Sequence, residues 1–264
     1  SLITPDIIGP LQRAGQIYAT NHSIEEVQQW LTNVAGTHPP LAPNANLLSG
    51  LLHIEQGDLQ QARSLIESLV SEDNVVATRA YGQLLAAEAI TTAQNKDYQG
   101  ALAKAAEAIA AQPANVSFAL LPARILISQG KPEEALDALQ AAADTHNNHI
   151  AIQLAQADLL MSQQQNTRAA ELYSQIVVAQ PNNVLALNNL AWLLREQDNP
   201  RAAELAGRAA ELAPEAPAIL DTYGWILHLG GNHEQAKTLI EQALALAPES
   251  VEIQEHLNTV KQSM

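Results

Sequence analysis

Small apolar residues return along this chain at a nearly constant interval, with larger apolar residues three or four places away, the spacing of one helix face. Ala101, Ala135, Ala169, Ala202 and Ala236 are separated by 34, 34, 33 and 34 residues. Seven residues beyond each, Ala108, Ala142, Ile176, Ala209 and Ala243 keep the same steps. A second small series, Gly50, Ala123, Ala157, Ala191 and Gly224, runs ahead of them. A closing series follows: Pro113, Asn147 in its place, Pro181, Pro214 and Pro248. Two antiparallel helices approach closely only where side chains are small, so the Ala and Gly series mark two helices crossing. The Pro series marks where the second helix stops, because Pro cannot continue the hydrogen-bond ladder.

Turn signals separate the two helices of a pair at Gln56-Gly57-Asp58, Asn95-Lys96-Asp97, Gln129-Gly130-Lys131-Pro132, Asp198-Asn199-Pro200 and Gly230-Gly231-Asn232. Together these marks predict seven helix pairs at about 5–38, 41–74, 75–113, 114–147, 148–181, 182–214 and 215–248. A last helix at about 250–262 carries Glu252, Glu255, Asn258 and Lys261 on its outer face, the polarity expected of a cap on an open repeat end. The expected organisation is a degenerate N-terminal pair (1–40), a repeat array (41–248) and a C-terminal capping helix (249–264).

Irregularities modify this pattern. Ala62 to Ala101 is 39 residues, and a longer first helix from Val75 to Gln94 would absorb the excess. Pro122 should kink the first helix of the fourth pair. Pro39-Pro40-Leu41-Ala42-Pro43 reads as a rigid, non-helical segment that loosens the first pair from the rest. Ser23-Ile24-Glu25-Glu26 reads as a capping box.

Composition narrows the class to all-α. Hydrophobic residues make up 47% but aromatic ones only 3%, and Ala, Leu, Gln and Glu, all strong helix formers, dominate. The net charge of −15 disfavours nucleic acid and anionic membrane surfaces as partners, and it also serves solubility. With no Cys, disulfides, thiolate nucleophiles and Cys-ligated metals are excluded. No apolar run reaches the length of a membrane helix, and no secretory leader is read. A start at Ser1 is expected of a fragment excised from a longer chain.

Little in the sequence suggests catalysis, and no cofactor or metal is expected. His146 and His149 have His-x-x-His spacing, but the intervening Asn147 and Asn148 put them in a turn, which reads as a solvated loop. His228 and His233 flank another turn and read the same way. Glu25-Glu26 and Glu133-Glu134 lie in first helical turns, where carboxylates favour the helix dipole. Phosphate-binding loops and nucleophile motifs are absent.

The period and residue classes resemble the tetratricopeptide repeat (TPR) family. Asn188-Asn189-Leu190-Ala191-Trp192-Leu193-Leu194 with Ala202, Ala209 and Pro214 carries the likeness best, together with Tyr223-Gly224-Trp225-Ile226-Leu227, Ala236, Ala243 and Pro248. The resemblance implies a right-handed α-solenoid whose concave wall is lined by the first helix of each pair. It places Leu120, Arg124 and Ile127 on that wall, then Leu154, Asp158 and Met161, then Asn188, Trp192 and Arg195, and finally Asp221, Trp225 and His228. Two Trp beside Asn, Asp and Arg make an interface-like composition; packing of both rings between helices is the alternative. The near absence of Lys from the first helices disfavours a clamp for a C-terminal carboxylate. The Asn188–Leu194 stretch, followed by Leu220-Asp221-Thr222-Tyr223-Gly224-Trp225, is further similar to bacterial TPR lipoproteins associated with exosortase/PEP-CTERM sorting and exopolysaccharide export. That likeness implies the cell envelope or periplasm and an assembly role.

The leading expectation is a non-enzymatic scaffold that binds a protein or peptide in its groove. The alternatives are the TPR part of a larger enzyme, such as a glycosyltransferase, and an array that self-assembles into a homo-oligomer through exposed repeat ends.

Overall fold

The structure, a computed structural model, describes residues 5–264 except 72 and 198, with side chains in the first helix described at positions 9, 11–15, 18 and 19. The described residues form helices and no strand. They run α1 (Pro5–Ala19), α2 (Ile24–Thr37), α3 (Ala42–Gln56), α4 (Leu59–Ile66), α5 (Val75–Gln94), α6 (Tyr98–Ala111), α7 (Val116–Ala119) and α8 (Leu121–Ser128). They continue with α9 (Pro132–Thr145), α10 (Ile150–Ser162), α11 (Asn166–Ala179), α12 (Val184–Leu194), α13 (Asn199–Leu212), α14 (Pro217–Leu229), α15 (His233–Leu246) and α16 (Val251–Gln262). Two compact units result, Ser1–His146 and Asn147–Met264. Within each, a helix packs on its successor, as α5 does on α6 and α14 on α15.

The small series lie where the helices meet. Ala101, Ala135, Ala169, Ala202 and Ala236 are all 0% exposed. At Gly224 a Cβ would stand 2.5 Å from Ile240 Cγ1 and 3.1 Å from the Ala236 carbonyl oxygen, and at Gly50 it would stand 2.5 Å from Ile66 Cγ1. Helix starts are fixed by short polar side chains, which satisfy backbone N–H groups that have no partner within the helix. Asp58, Asn74, Asp97, Asn183 and Asn232 each accept from the third backbone N–H of the following helix. The capping box forms as read: Ser23 Oγ accepts from the Glu26 N–H, and the Glu26 carboxylate accepts from the Ser23 N–H at 2.7 Å.

In the first unit, the excess residues of the third pair lengthen α5 to 20 residues. The bidentate Arg63–Glu88 pair (2.9 and 2.6 Å) and Lys104 (2.5 Å from Glu88) tie α4, α5 and α6 together. Burial alone would raise the Glu88 carboxyl, but the hydrogen bonds from Arg63 and Lys104 outweigh it and hold the group below its ordinary value. Pro122 goes further than a kink. The helix breaks at Leu120 into α7 and α8, with Pro122 in the first turn of α8.

The segment Pro39–Pro43 corrects the sequence reading. Pro39–Leu41 forms a 3-10 turn and Pro43 sits inside the first turn of α3. Pro is tolerated there because the first-turn N–H groups have no helical acceptor to lose. The first pair is not loosened from α3 either: Leu11, Val27, Leu31 and Ala45 form one buried cluster.

In the second unit, Asn199 donates to the Arg195 carbonyl (3.3 Å) and the Ile226 carbonyl (2.9 Å), linking the end of α12 to α14. Asp198, part of the turn read there, lies outside the described residues. The final helix α16 buries Ile253, Leu257 and Val260 and keeps Glu252, Glu255, Asn258 and Lys261 exposed. It takes the place that the first helix of a further pair would take.

Candidate partner-binding site

Seven of the eight candidate residues belong to the second unit: Asp158 on α10, Asn188 and Trp192 on α12, Arg195 just beyond it, and Asp221, Trp225 and His228 on α14. Arg124 is exposed on α8 of the first unit. The second-unit residues are joined by contacts between successive first helices, α12 following α10 and α16 following α14.

At α10 and α12, the Tyr173 hydroxyl donates to the Asp158 carboxylate. Asn189 Nδ2 donates to the Tyr173 oxygen at 3.0 Å and to Asp158 at 3.3 Å. Tyr173 comes from α11 and is 0% exposed. Burial, and then the bond to Asp158, push its pKa up, so the phenol stays protonated and acts as a fixed donor. Asp158, exposed as a residue, is therefore anchored from below.

At α12, Trp192 is half-buried. The Arg195 guanidinium lies 4.0 Å from the centre of its ring, and Arg195 Nη1 donates to the Trp192 carbonyl at 2.6 Å. One face of the indole thus carries a cation–π contact.

At α14 the arrangement depends on the final helix. His256 Nδ1 lies 2.8 Å from Asp221 Oδ2, and its ring stacks on Trp225 with centroids 4.2 Å apart. The His228 ring centroid lies 5.2 Å from that of Trp225, with its Nδ1 2.9 Å from His233 Nδ1. The hydrogen bond to Asp221 raises the His256 pKa against the opposing effect of burial. Burial lowers the His228 pKa, helped by the charges of His233 and His256. Two histidines that read from sequence as solvated loop residues therefore flank an aromatic ring or pair with each other. Among the described residues no group of three or more His, Cys, Asp or Glu could hold a metal ion.

Between α12, α14 and the start of α16 lies a pocket of about 340 Å³, bordered by Asn188, Trp192, Asp221, Thr222, Glu252 and Ile253. Asn188 donates from Nδ2 to Asn189 at 3.2 Å. Asn188 Oδ1 and Asp221 Oδ1 are buried without a hydrogen-bond partner among the described residues.

Sequence reasoning missed His256, Tyr173 and Glu252 as members of this site. The signal for His256 was available. It follows Asp221 by 35 residues, one repeat and one place on, so continuing the register into the final helix puts it beside the wall. For Tyr173, on a second helix, sequence offered no comparable signal.

Tetratricopeptide repeat profiles match residues 93–159, 154–217 and 218–250. No curated protein matches the chain. Among solved structures, PilF of Pseudomonas aeruginosa is 18% identical with a TM-score of 0.60, covering 81% of this chain and 96% of that one. A tetratricopeptide repeat protein of Parabacteroides merdae is 14% identical with a TM-score of 0.57, covering 97% and 99%. YrrB, described as a TPR protein with an unusual peptide-binding site, is 15% identical with a TM-score of 0.52, covering 67% and 91%. At these identities the structures share the fold, while the profiles together span residues 93–250 without a gap; the chain belongs to the tetratricopeptide repeat family.

Proposed function

We propose that this chain is a non-catalytic interaction scaffold that seats an extended protein or peptide segment along the first helices of its second unit. Carrying the proposal is the placement of Trp192 and Trp225 at equivalent positions 33 residues apart, both half-buried on one wall beside a polar pocket. A Trp held by its neighbours loses little freedom on binding and presents a large contact area, the character of an interface anchor. Arg195 and His256 hold the two rings in this way.

The test is the Trp192→Ala/Trp225→Ala double variant in a capture experiment from native lysate. Loss of the captured partner with an unchanged helical circular dichroism spectrum supports the wall as the seat. Undiminished capture by a folded double variant removes it.

For the compartment we propose the bacterial cell envelope, in protein sorting or exopolysaccharide export. The support is the likeness of Asn188–Leu194 and Leu220–Trp225 to lipoproteins of that kind. Fractionation of native cells with an antibody against this chain tests it, and recovery in the cytoplasmic fraction overturns it.

A further inference from the structure

We infer that the pocket between α12, α14 and α16 is a subsite for a cationic side chain, a lysine or arginine of the partner segment. The inference rests on the wall being the partner's seat and adds the residue type that the partner brings.

An imbalance between donors and acceptors carries it. Two side-chain donors that border the pocket are turned to partners inside the protein. Asn188 Nδ2 donates to Asn189, and Thr222 Oγ1 donates to the Ala218 carbonyl at 2.9 Å. Two acceptors remain, Asn188 Oδ1 and Asp221 Oδ1. The Asp221 side chain is only 9% exposed, and His256 takes its other oxygen. Glu252, exposed on the first turn of α16, adds a second carboxylate at the mouth. Trp192 contributes an aromatic wall.

Each class of guest meets this pocket differently. An anionic side chain would face two carboxylates. An apolar one would leave both buried acceptors without a partner, which is unfavourable for buried polar groups. A lysine ammonium brings three donors and an arginine guanidinium five, with a positive charge for Asp221 and Glu252 and an aliphatic stem for Trp192. The net charge of −15 over the whole chain draws such a segment in from a distance.

The probe is a short Gly/Ser peptide, blocked at both ends, with one central Arg. The comparison probes are the same peptide with citrulline, its neutral near-isostere, or with Leu, and free spermidine. Binding is followed by NMR of the full ¹⁵N-labelled chain in about 0.15 M salt, where the screening length is about 8 Å. The Arg peptide should shift the Trp192 indole and the amides of Asn188, Thr222 and Ile253 saturably. The citrulline peptide should bind about tenfold more weakly, the loss expected when a charge-assisted contact becomes neutral. Asp221→Asn and Glu252→Gln should each weaken the Arg peptide. Because Asp221 also holds His256, the exposed Glu252→Gln is the variant that leaves the packing intact.

Equal affinity for Arg and citrulline overturns the inference, as do shifts scattered over the acidic surface or indifference to Glu252→Gln. Spermidine binding as tightly as the Arg peptide overturns it in favour of a free polyamine. If only the Leu peptide shifts the wall, the cationic subsite is wrong and the wall still stands as a seat. If no peptide shifts it, the cationic subsite is again wrong, and the tryptophan double variant decides on the wall separately.

Discussion

At the residue scale, the α14–α16 part of the candidate site is held by the His256–Asp221 hydrogen bond. His256 is 15% exposed and Asp221 9%, so their hydrogen bond is partly desolvated. Because the His256 pKa is raised in the folded chain, its stabilising contribution is complete below the ordinary value of about 6.5 and disappears as pH rises through the folded value. His228, whose pKa is lowered, works the other way: its contribution is present above the ordinary value and lost as pH falls through the lower folded value. The groups facing His256 are Asp221, His228 and Trp225 from α14, and Glu252 and Glu255 on α16 itself. Comparing His256→Gln with the parent chain largely removes the contribution of His228, which both proteins share. Urea unfolding should show a cost of about 2 kcal/mol near pH 6, typical of a hydrogen bond to a charged group, shrinking to about 1 kcal/mol near pH 8.5. A cost independent of pH would mean that the pair does not titrate with folding. The family resemblance, carried along the repeat register, is what put Asp221 among the expected wall positions. Its burial was not legible, since that depends on a ring from a helix that reads as a polar cap.

At the element scale, the sequence reveals pairing because close approach leaves a residue-type signature. Gly224 and Gly50 stand where Ile240 and Ile66 press against the first helix, and the Ala series lies at the crossings beside them. Gly224→Ala is therefore expected to destabilise the chain by about 1–3 kcal/mol, the range for overpacking, even though Ala is the better helix former. Gly36, exposed in α2 with nothing within 4 Å of an added Cβ, provides the opposite case. There, Gly36→Ala should stabilise by about 0.5 kcal/mol through the lower backbone entropy of the unfolded chain. Equal effects in thermal unfolding of the two variants would refute the steric account. Turns were legible where Gly or Asn supplies the left-handed conformation, as at Gly130 and Gly231. The turn between α10 and α11 was not read, because Gln164 takes φ 60° with no such residue to mark it. Pro43 was misread for a related reason: Pro stops a helix in its interior and starts one in its first turn, and sequence alone does not separate the two roles.

At the scale of the whole molecule, a stack of pairs gains stability from nearest neighbours, so losing its last member should be felt locally. Ending the chain after Glu249 removes α16, and with it the burial of Ile253, Leu257 and Val260 and the Lys261–Glu241 pair at 3.1 Å. Asp221 loses His256, Trp225 loses its stacked ring, and the pocket loses one wall. The cost should fall on α14 and α15, where buried apolar surface would become a solvent-facing end. Hydrogen exchange should show those two helices losing protection, while α10 and α11 keep most of theirs and the cores of the Ser1–His146 unit are unaffected. Helical signal should fall by more than the 12 residues of α16 account for, because α14 and α15 would fray with it. The exposed end should also make the shortened chain associate as its concentration rises, since uncapped repeat ends present an apolar patch. Unchanged protection in α14 and α15 would show that α16 is only appended to the stack. Loss of protection throughout both units would show that stability is shared globally rather than passed between neighbours. The intermediate outcome, local loss with the remainder intact, is the one that makes α16 a structural member of the stack and not merely its cover.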